Sequence, residues 1–346
     1  MVTRKTAKAE GLLRPVQNGA KIDIFTWAGH GNFGDDWIYE VGAGVFPNSR
    51  ALREVWCKYP MHWGTRCLSG IHDRDQRVPI LLWGGGWLAS DQRQYKTLSR
   101  WKRHVLRADA AGRKIFGFGL GMGPFTYDLI HKDVVLNALK GKLWVRSASD
   151  LIDSVDAEPS FASDCTLLEW NKISSEPKRQ KVWDYLICLP EYSNHWQNQV
   201  DGLSNERYFE IIDQLLSSIP TTSKVAFLES VKGDLTEWQN NSYQVLSPDS
   251  PKELKEYISS ATCLVTARLH PGLMAAMSGL QVIAIAYHHK FNILEEFGIP
   301  VIWGTKNLKY SDVQYAAKAD STKLQIAANR IEKGLKELIA VLEKND

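Results

Sequence analysis

The sequence predicts an α/β protein built of two parallel-sheet units in tandem. Short runs of β-branched and aromatic residues alternate with longer segments of helical period, which is the pattern of repeated strand–helix–strand units. These runs fall into two groups of about five, divided by the polar stretch Asn171 to Lys181 with Pro177 inside it. The length of 346 residues suits two domains, at about 100–200 residues each.

Residues 1–20 carry basic side chains with no apolar run behind them, and are expected to be a flexible lead-in rather than a secretory signal. The first domain is placed at 21–175, with strands expected at Lys21 to Trp27, Pro79 to Trp83, Arg113 to Phe118, Lys142 to Arg146 and about Ser163 to Leu168. The second is placed at 182–346, with strands at Val182 to Leu189, Lys224 to Leu228, Tyr243 to Leu246, Cys263 to Thr266 and Val282 to Ala286. It ends in a long amphipathic helix: Leu324, Ala328, Ile331, Leu335, Leu338 and Leu342 keep a 3.6-residue period, and the helix either caps this domain or crosses back to the first.

With 44% hydrophobic and 23% charged residues the composition is globular, which excludes fibrous, collagen-like and wholly disordered classes. No stretch has the ~18 consecutive apolar residues of a membrane span, so a cytoplasmic protein is expected. The 5 cysteines are widely scattered and read as reduced structural thiols. The net charge of +3 is uneven: residues 1–175 hold 24 Lys and Arg against 18 Asp and Glu, and the remainder 18 against 21. That balance suits an anionic ligand near the first half and is too mild to imply nucleic acid.

Ligands of open α/β sheets bind beyond the carboxyl ends of strands, so the residues after each strand carry the functional reading. After the first strand stands Gly29-His30-Gly31-Asn32-Phe33-Gly34-Asp35-Asp36, opening a helix at about Trp37. A G-x-G-x-x-G turn at a helix start favours anions and raises a dinucleotide hypothesis. That hypothesis needs an acidic residue ending the second strand. Here Glu54 lies in a stretch of helical character, and the strand-like candidate ends at Lys58-Tyr59-Pro60. Asp35 and Asp36 would also repel a pyrophosphate while satisfying free N–H groups. A substrate site and a plain capped turn both rank ahead of a dinucleotide site, with Asn32 and Asp35 as the polar candidates.

Gly84-Gly85-Gly86 follows Ile80 to Trp83 and permits either close approach of a ligand or a tight turn. Gly117, Gly119, Gly121 and Gly123 repeat the theme, so that three glycine-rich turns outline one open sheet edge. Arg146, at the end of its strand, suits clamping a carboxylate or phosphate, or else a structural ion pair. In Thr266-Ala267-Arg268-Leu269-His270-Pro271-Gly272, Pro271 fits a first helical turn. Arg268 and His270 are therefore expected on an extended loop, two apart and facing one way, a fixed cation beside a group titrating near neutrality. Lys290 is a further cation after the strand ending at Ala286. His288 and His289 alternate faces and lack partners at ligand spacing, so no metal is expected.

Along Arg93 to Arg107, Arg93, Lys96, Arg100, Arg103 and Arg107 fall within an arc of about 80° at 100° per residue, opposite Leu98, Trp101 and Val105. This basic stripe is a solvated face or a contact for anionic lipid headgroups. Some of the 13 tryptophans suit sugar stacking, though most belong to the core.

Taken together, Gly31-Asn32-Phe33-Gly34-Asp35-Asp36-Trp37-Ile38, Leu82-Trp83-Gly84-Gly85-Gly86-Trp87-Leu88, Val145-Arg146, Arg268-Leu269-His270 and Tyr287 to Lys290 resemble the polysaccharide pyruvyl transferase family in order and spacing from residue 21 to about 300. The resemblance implies two Rossmann-like domains facing across a cleft, as in GT-B glycosyltransferases. It also implies transfer of a pyruvyl group from phosphoenolpyruvate, as co-substrate and without a cofactor, to a glycan or lipid-linked oligosaccharide as a ketal. His270 and Asp35 are then the catalytic candidates, as proton donor and as base in either order. Arg146, Arg268, Lys290, Gly85, Gly86 and Asn32 are the donor-binding candidates. Ser147 stands where the family usually has an acidic residue, and Asp164 resembles an aspartate at a domain edge without an assigned role. A sugar-nucleotide glycosyltransferase of the same architecture, a Rossmann oxidoreductase and a noncatalytic glycan- or nucleotide-binding module are the alternatives.

Overall fold

The computed structural model describes residues 22–25, 28, 31–52, 54–56, 66–68, 78–89, 94–123, 129–192, 203–233, 243–303 and 316–344. Its first half contains β1 (Asp23–Phe25), α1 (Phe33–Val45), β2 (Arg50–Leu52), β3 (Glu54–Trp56), β4 (Arg66–Leu68), β5 (Ile80–Trp83), β6 (Gly86–Ala89), α2 (Gln94–Ala110), β7 (Ile115–Gly123), α3 (Leu129–Ala138), β8 (Leu143–Val145), α4 (Ala148–Asp153), β9 (Ser160–Phe161) and α5 (Trp170–Ser174). Its second contains β10 (Trp183–Cys188), α6 (Asn205–Ser218), β11 (Val225–Leu228), β12 (Gln244–Leu246), α7 (Pro251–Ser259), β13 (Ala261–Thr266), α8 (Leu269–Met277), β14 (Gln281–Ala286), α9 (Asn292–Glu296), β15 (Val301–Trp303) and β16 (Ala317–Lys318), followed by a C-terminal helix, Ser321–Glu343.

Two parallel sheets result. The first runs β2-β1-β5-β7-β8-β9 with β6 beside β7, and the second runs β12-β11-β10-β13-β14-β15 with β16 antiparallel to β14. In the second, the chain builds outward from β10 on one side and then from β13 on the other, the strand order of dinucleotide-binding sheets. Such a reversal leaves a crevice at the carboxyl ends of β10 and β13, and the first sheet has its own between β1 and β5. The fold is thus two Rossmann-like domains of GT-B type.

Central strands of parallel sheets are covered on both faces, and their sequences are accordingly near-continuous apolar runs, the exception in β1 being Asp23, which is paired with Arg50 and Arg113. Both β1 and β5 are fully buried. Ile24 and Leu81 face α1 and the C-terminal helix, while Phe25 and Leu82 face α2 and α3. The C-terminal helix keeps its expected period and crosses back onto the first domain. Gly334 lies where a Cβ would be 3.2 Å from Trp144 Cδ1 and 3.4 Å from the Cβ of Ala162. Trp144 Nε1 donates to Glu337 (3.2 Å), Trp170 Nε1 donates to Gln325 (3.0 Å), and the Arg330 guanidinium lies 3.9 Å over the Phe161 ring.

Two expectations are corrected. Ser163 to Leu168 is not a strand: Asp164 Oδ1 accepts from the Thr166 amide (3.0 Å) and starts a 3₁₀ turn over Cys165–Glu169. Glu54 is not helical but begins β3, paired antiparallel with β4. The short edge strands β2 and β15, three residues each, had no sequence signal long enough to stand out. Arg93, Gly29, His30 and Lys58-Tyr59-Pro60 lie outside the described residues. Within the basic stripe, Arg103 is exposed, Arg107 is half-buried and Val105 on the opposite side is buried. Among the described residues no helix is long and apolar enough to cross a membrane.

Candidate functional site

The expected residues lie after β1, β5, β8, β13 and β14, which puts them at the carboxyl edges of the two sheets. After β1, Gly31 takes a positive φ of 80° and Asn32 caps α1. Asn32 Oδ1 accepts from the Gly34 amide (3.1 Å), and its Nδ2 donates to Asp35 Oδ2 (2.7 Å). Asn32 therefore orients Asp35 rather than facing a ligand with a free side chain. The turn itself is joined to the loop after β11. Phe33 N donates to Ser230 O (3.0 Å) and Lys232 N to Gly31 O (2.9 Å), closing an isolated bridge between Asn32 and Val231. Part of the supposed open edge is thus a backbone seam between the domains.

After β5, Gly84 and Gly85 have φ values of 61° and 78°. A Cβ on Gly84 would lie 2.5 Å from Ile38 Cγ2, so the first glycine is required by packing against α1. Gly85 O accepts from the Gly121 amide (2.7 Å), and Gly86 opens β6. A tight turn accounts for Gly84 and Gly85 without a ligand.

Arg146 directly follows β8 and is 2% exposed. Ser147 after it caps α4 in a reciprocal box: Asp150 N donates to Ser147 Oγ (3.2 Å) and Ser147 N to Asp150 Oδ2 (3.0 Å). That local cap explains a serine at this position. The Arg146 Nη1 lies 3.7 Å from Asp164 Oδ2.

Beyond β13 the chain turns at Thr266, whose Oγ1 accepts from Arg268 N (2.9 Å) and donates to Arg268 O (3.0 Å). Arg268 becomes the N-cap of α8 and His270 its second residue, so His270 sits within the first helical turn and not on an extended loop. Both remain half-buried at one end of that helix. The His270 ring lies against α1 from the other domain: a Cβ on Gly34 would come within 2.6 Å of Nδ1 and 3.0 Å of the His270 Cβ. The opposite ring nitrogen, Nε2, lies 3.8 Å from Asp164 Oδ2. After β14, the Lys290 amide donates to His288 Nδ1 (3.1 Å), while its Nζ donates to the Tyr287 hydroxyl (2.9 Å) and lies 4.8 Å over that ring.

The two carboxylates are driven in opposite directions. Burial pushes the Asp35 carboxyl above its ordinary value, outweighing the positive charges of His270, Lys290 and Arg268. Burial also works to raise Asp164, but there His270, Arg146 and the Thr166 hydroxyl prevail and hold it well below the usual carboxylate range. The site thus joins an aspartate with raised proton affinity, a histidine, three cations and a second aspartate locked in its ionised form. This set can bind a multiply charged anion and move protons at one of its carbons or at an incoming hydroxyl. Asp164 is the residue that sequence reasoning left without a role; Asp-Cys-Thr, a capping pattern, was its local signal. Among the described residues no group of three or more His, Cys, Asp or Glu is arranged to hold a metal ion.

A family model described as polysaccharide pyruvyl transferase matches residues 32–289. Among solved structures the chain is similar to Anabaena HepE in complex with UDP, at 10% identity over 93% of this chain and 99% of that one, with a TM-score of 0.54. The same protein with UDP-glucose gives 11% identity, 94% and 99% coverage and 0.52. UDP-GlcNAc 2-epimerase of Methanocaldococcus jannaschii gives 10%, 89% and 92%, with 0.47. No curated protein sequence matches this one.

Proposed function

The chain belongs to the polysaccharide pyruvyl transferase family, and on that premise we propose that it transfers the enolpyruvyl group of phosphoenolpyruvate to a glycan sugar as a pyruvyl ketal. The observation that most supports this reading is the convergence of Arg146, Arg268 and Lys290 with His270 and Asp35 at facing sheet edges. Phosphoenolpyruvate carries a phosphate and a carboxylate on adjacent groups, and fixed guanidinium and ammonium cations hold both while balancing their charge.

In the proposed reaction, protonated His270 gives its proton to the methylene carbon, which becomes a methyl group, and the neighbouring carbon takes on oxocarbenium character. An acceptor hydroxyl oxygen bonds to that carbon as Asp35 removes its proton. The carbon–oxygen bond to phosphate then breaks with its electron pair going to phosphate, which takes up the proton held by Asp35 and so returns that carboxylate to its starting form. A second sugar hydroxyl closes the ring, and its proton returns to His270. The overall change is two hydroxyl protons used, one in the new methyl group and one on inorganic phosphate. Asn32 holds Asp35 in place for its step, and Gly84 gives the close approach against which α1 is seated.

Phosphate release from phosphoenolpyruvate in the presence of glycan acceptors, with a pyruvyl mass increment on the acceptor, tests this reading. Calorimetry after chelator treatment should show donor binding undiminished, because cations of the chain occupy the role of a metal. Arg268→Lys keeps the charge but loses the planar fork, and should weaken donor affinity by about 1.5–3 kcal/mol. No phosphate release with any glycan, or donor binding that depends on added Mg²⁺, overturns it.

A further inference from the structure

We propose that Asp164 is a positioning residue for His270: its Oδ2, supplied by the first domain, holds the Nε2 edge of the imidazole so that the transferred proton is gained and lost at Nδ1. This inference rests on the transfer reaction above for its kinetic consequence, although the pairing itself does not.

The carboxylate has two different sides. Oδ1 is committed, accepting from Thr166 N (3.0 Å) and from Thr166 Oγ1 (2.7 Å). Oδ2 points away from that turn toward Arg146 Nη1 at 3.7 Å and His270 Nε2 at 3.8 Å. Three buried atoms gathered here make no hydrogen bond: Arg146 Nε, Asp164 Oδ2 and His270 Nε2. A buried polar atom without a partner is costly, on the order of 1–3 kcal/mol. Closing the gap by about 1 Å to the ~2.8 Å of a charged hydrogen bond satisfies two of these atoms at once. The ring cannot turn its other nitrogen to the task without rotating past α1, because the Nδ1 edge is fitted against Gly34. A histidine whose Nε2 proton is held by a carboxylate exchanges its second proton at Nδ1, the edge that a glycine at position 34 leaves uncovered by any side chain.

The pair also joins the domains. Asp164 follows β9 in the first, and His270 stands on α8 in the second, so the histidine is oriented only when the cleft edges meet as they do here. The charged groups facing His270 are Asp164, with Arg146 behind it, and Asp35 from α1, around which Lys290 and Arg268 also lie. The thiol of Cys165 beside Asp164 is pushed up by burial and stays neutral. Asp164 therefore supplies the anion on the Nε2 side, and Arg146 damps it.

The test uses the full chain with ¹⁵N-labelled histidine, the His270 signals being assigned by their loss in His270→Gln. In wild-type protein the neutral form of His270 should carry its proton on Nε2. In Asp164→Asn, which keeps the Oδ1 acceptor for Thr166, the His270 titration midpoint should fall by about one to two pH units. The basic limb of the kcat/KM profile for phosphate release should move with it, with kcat down by about 10²-fold and the KM for phosphoenolpyruvate changed less than threefold. Asp164→Glu should restore part of the shift. A neutral tautomer protonated on Nδ1 in wild type, or a His270 midpoint unmoved in folded Asp164→Asn, overturns the proposal and leaves Asp164 as a partner of Arg146 alone. If Asp164→Asn does not fold, the wild-type tautomer decides. The NMR shifts without any turnover would instead retain the pairing and reject the transfer reaction.

Discussion

Gly34→Ala separates packing for function from ordinary helix preference. Gly34 is the second residue of α1 and has no positive φ, so backbone propensity alone favours alanine there by up to about 1 kcal/mol. The added methyl, however, would lie 2.6 Å from His270 Nδ1 and 3.0 Å from both Cβ and Cγ of that residue. Rotating the imidazole relieves the first contact but not the one to Cβ, so α8 itself has to retreat. Overpacking of this kind costs about 1–3 kcal/mol, which turns the expected gain into a net loss of roughly 0–2 kcal/mol. Gly44 in the same helix has nothing within 4 Å of a built Cβ, and Gly44→Ala should show the unopposed gain of about 0.5–1 kcal/mol. Urea unfolding of the two variants side by side measures the difference. In the phosphate-release assay Gly34→Ala should lose on the order of 10²-fold in kcat, because a shift of about 1 Å in a proton donor has that scale of effect, while Gly44→Ala should match wild type. If Gly34→Ala gains stability like its control and keeps full activity, His270 does not sit against α1 and the assembled site is wrong.

The two site carboxylates should show opposite signs in stability against pH. Asp35 has a raised value in the fold, so its contribution is complete below the unfolded value of about 3.9 and is lost as pH rises through the folded value; Asp35→Asn should therefore melt higher than wild type at pH 7 while abolishing turnover. Asp164 has a lowered value, so its contribution is present above about 3.9 and fades as pH falls through the folded value; Asp164→Asn should melt lower at pH 7, the gap narrowing in acid. At the C-terminal helix, Gly334→Val would press on Trp144, Ala162 and Phe118, and should lower stability by about 1–3 kcal/mol with a change in tryptophan fluorescence. The basic stripe on α2 should give flotation with anionic liposomes that weakens with salt and with Arg100→Glu/Arg103→Glu; equal flotation by the double variant returns the stripe to a solvated face.

Strand ends were the legible part of the site, for a physical reason. A buried parallel strand reads as a short apolar run, its end is marked by the first polar or glycine residues, and a ligand crevice has to form there. That reasoning led to Arg146, Arg268, His270 and Lys290, and the structure finds each directly after a strand or within the first helical turn that follows one. It failed where a local hydrogen bond competed with the apolar pattern. Asp164 was absorbed into a supposed strand over Ser163 to Leu168, in which Cys165, Leu167 and Leu168 are apolar, whereas its side chain turns the chain at Thr166. Asn32 looked like a ligand residue because glycines surround it, yet its side chain is bound to Gly34 and Asp35.

What no local pattern records is which strand ends adjoin. The seam between Gly31 and Lys232, the fit of His270 against Gly34 and the approach of Asp164 to His270 all link residues more than 100 positions apart across two sheets. They depend on the strand orders β2-β1-β5 and β11-β10-β13, which set β1 and β13 beside the reversals of their sheets. Once those reversals face each other, the residue after β13 has to meet the helix after β1. A glycine at position 34 is then the consequence of a histidine at position 270, and the charge that orients that histidine has to come from the opposite domain.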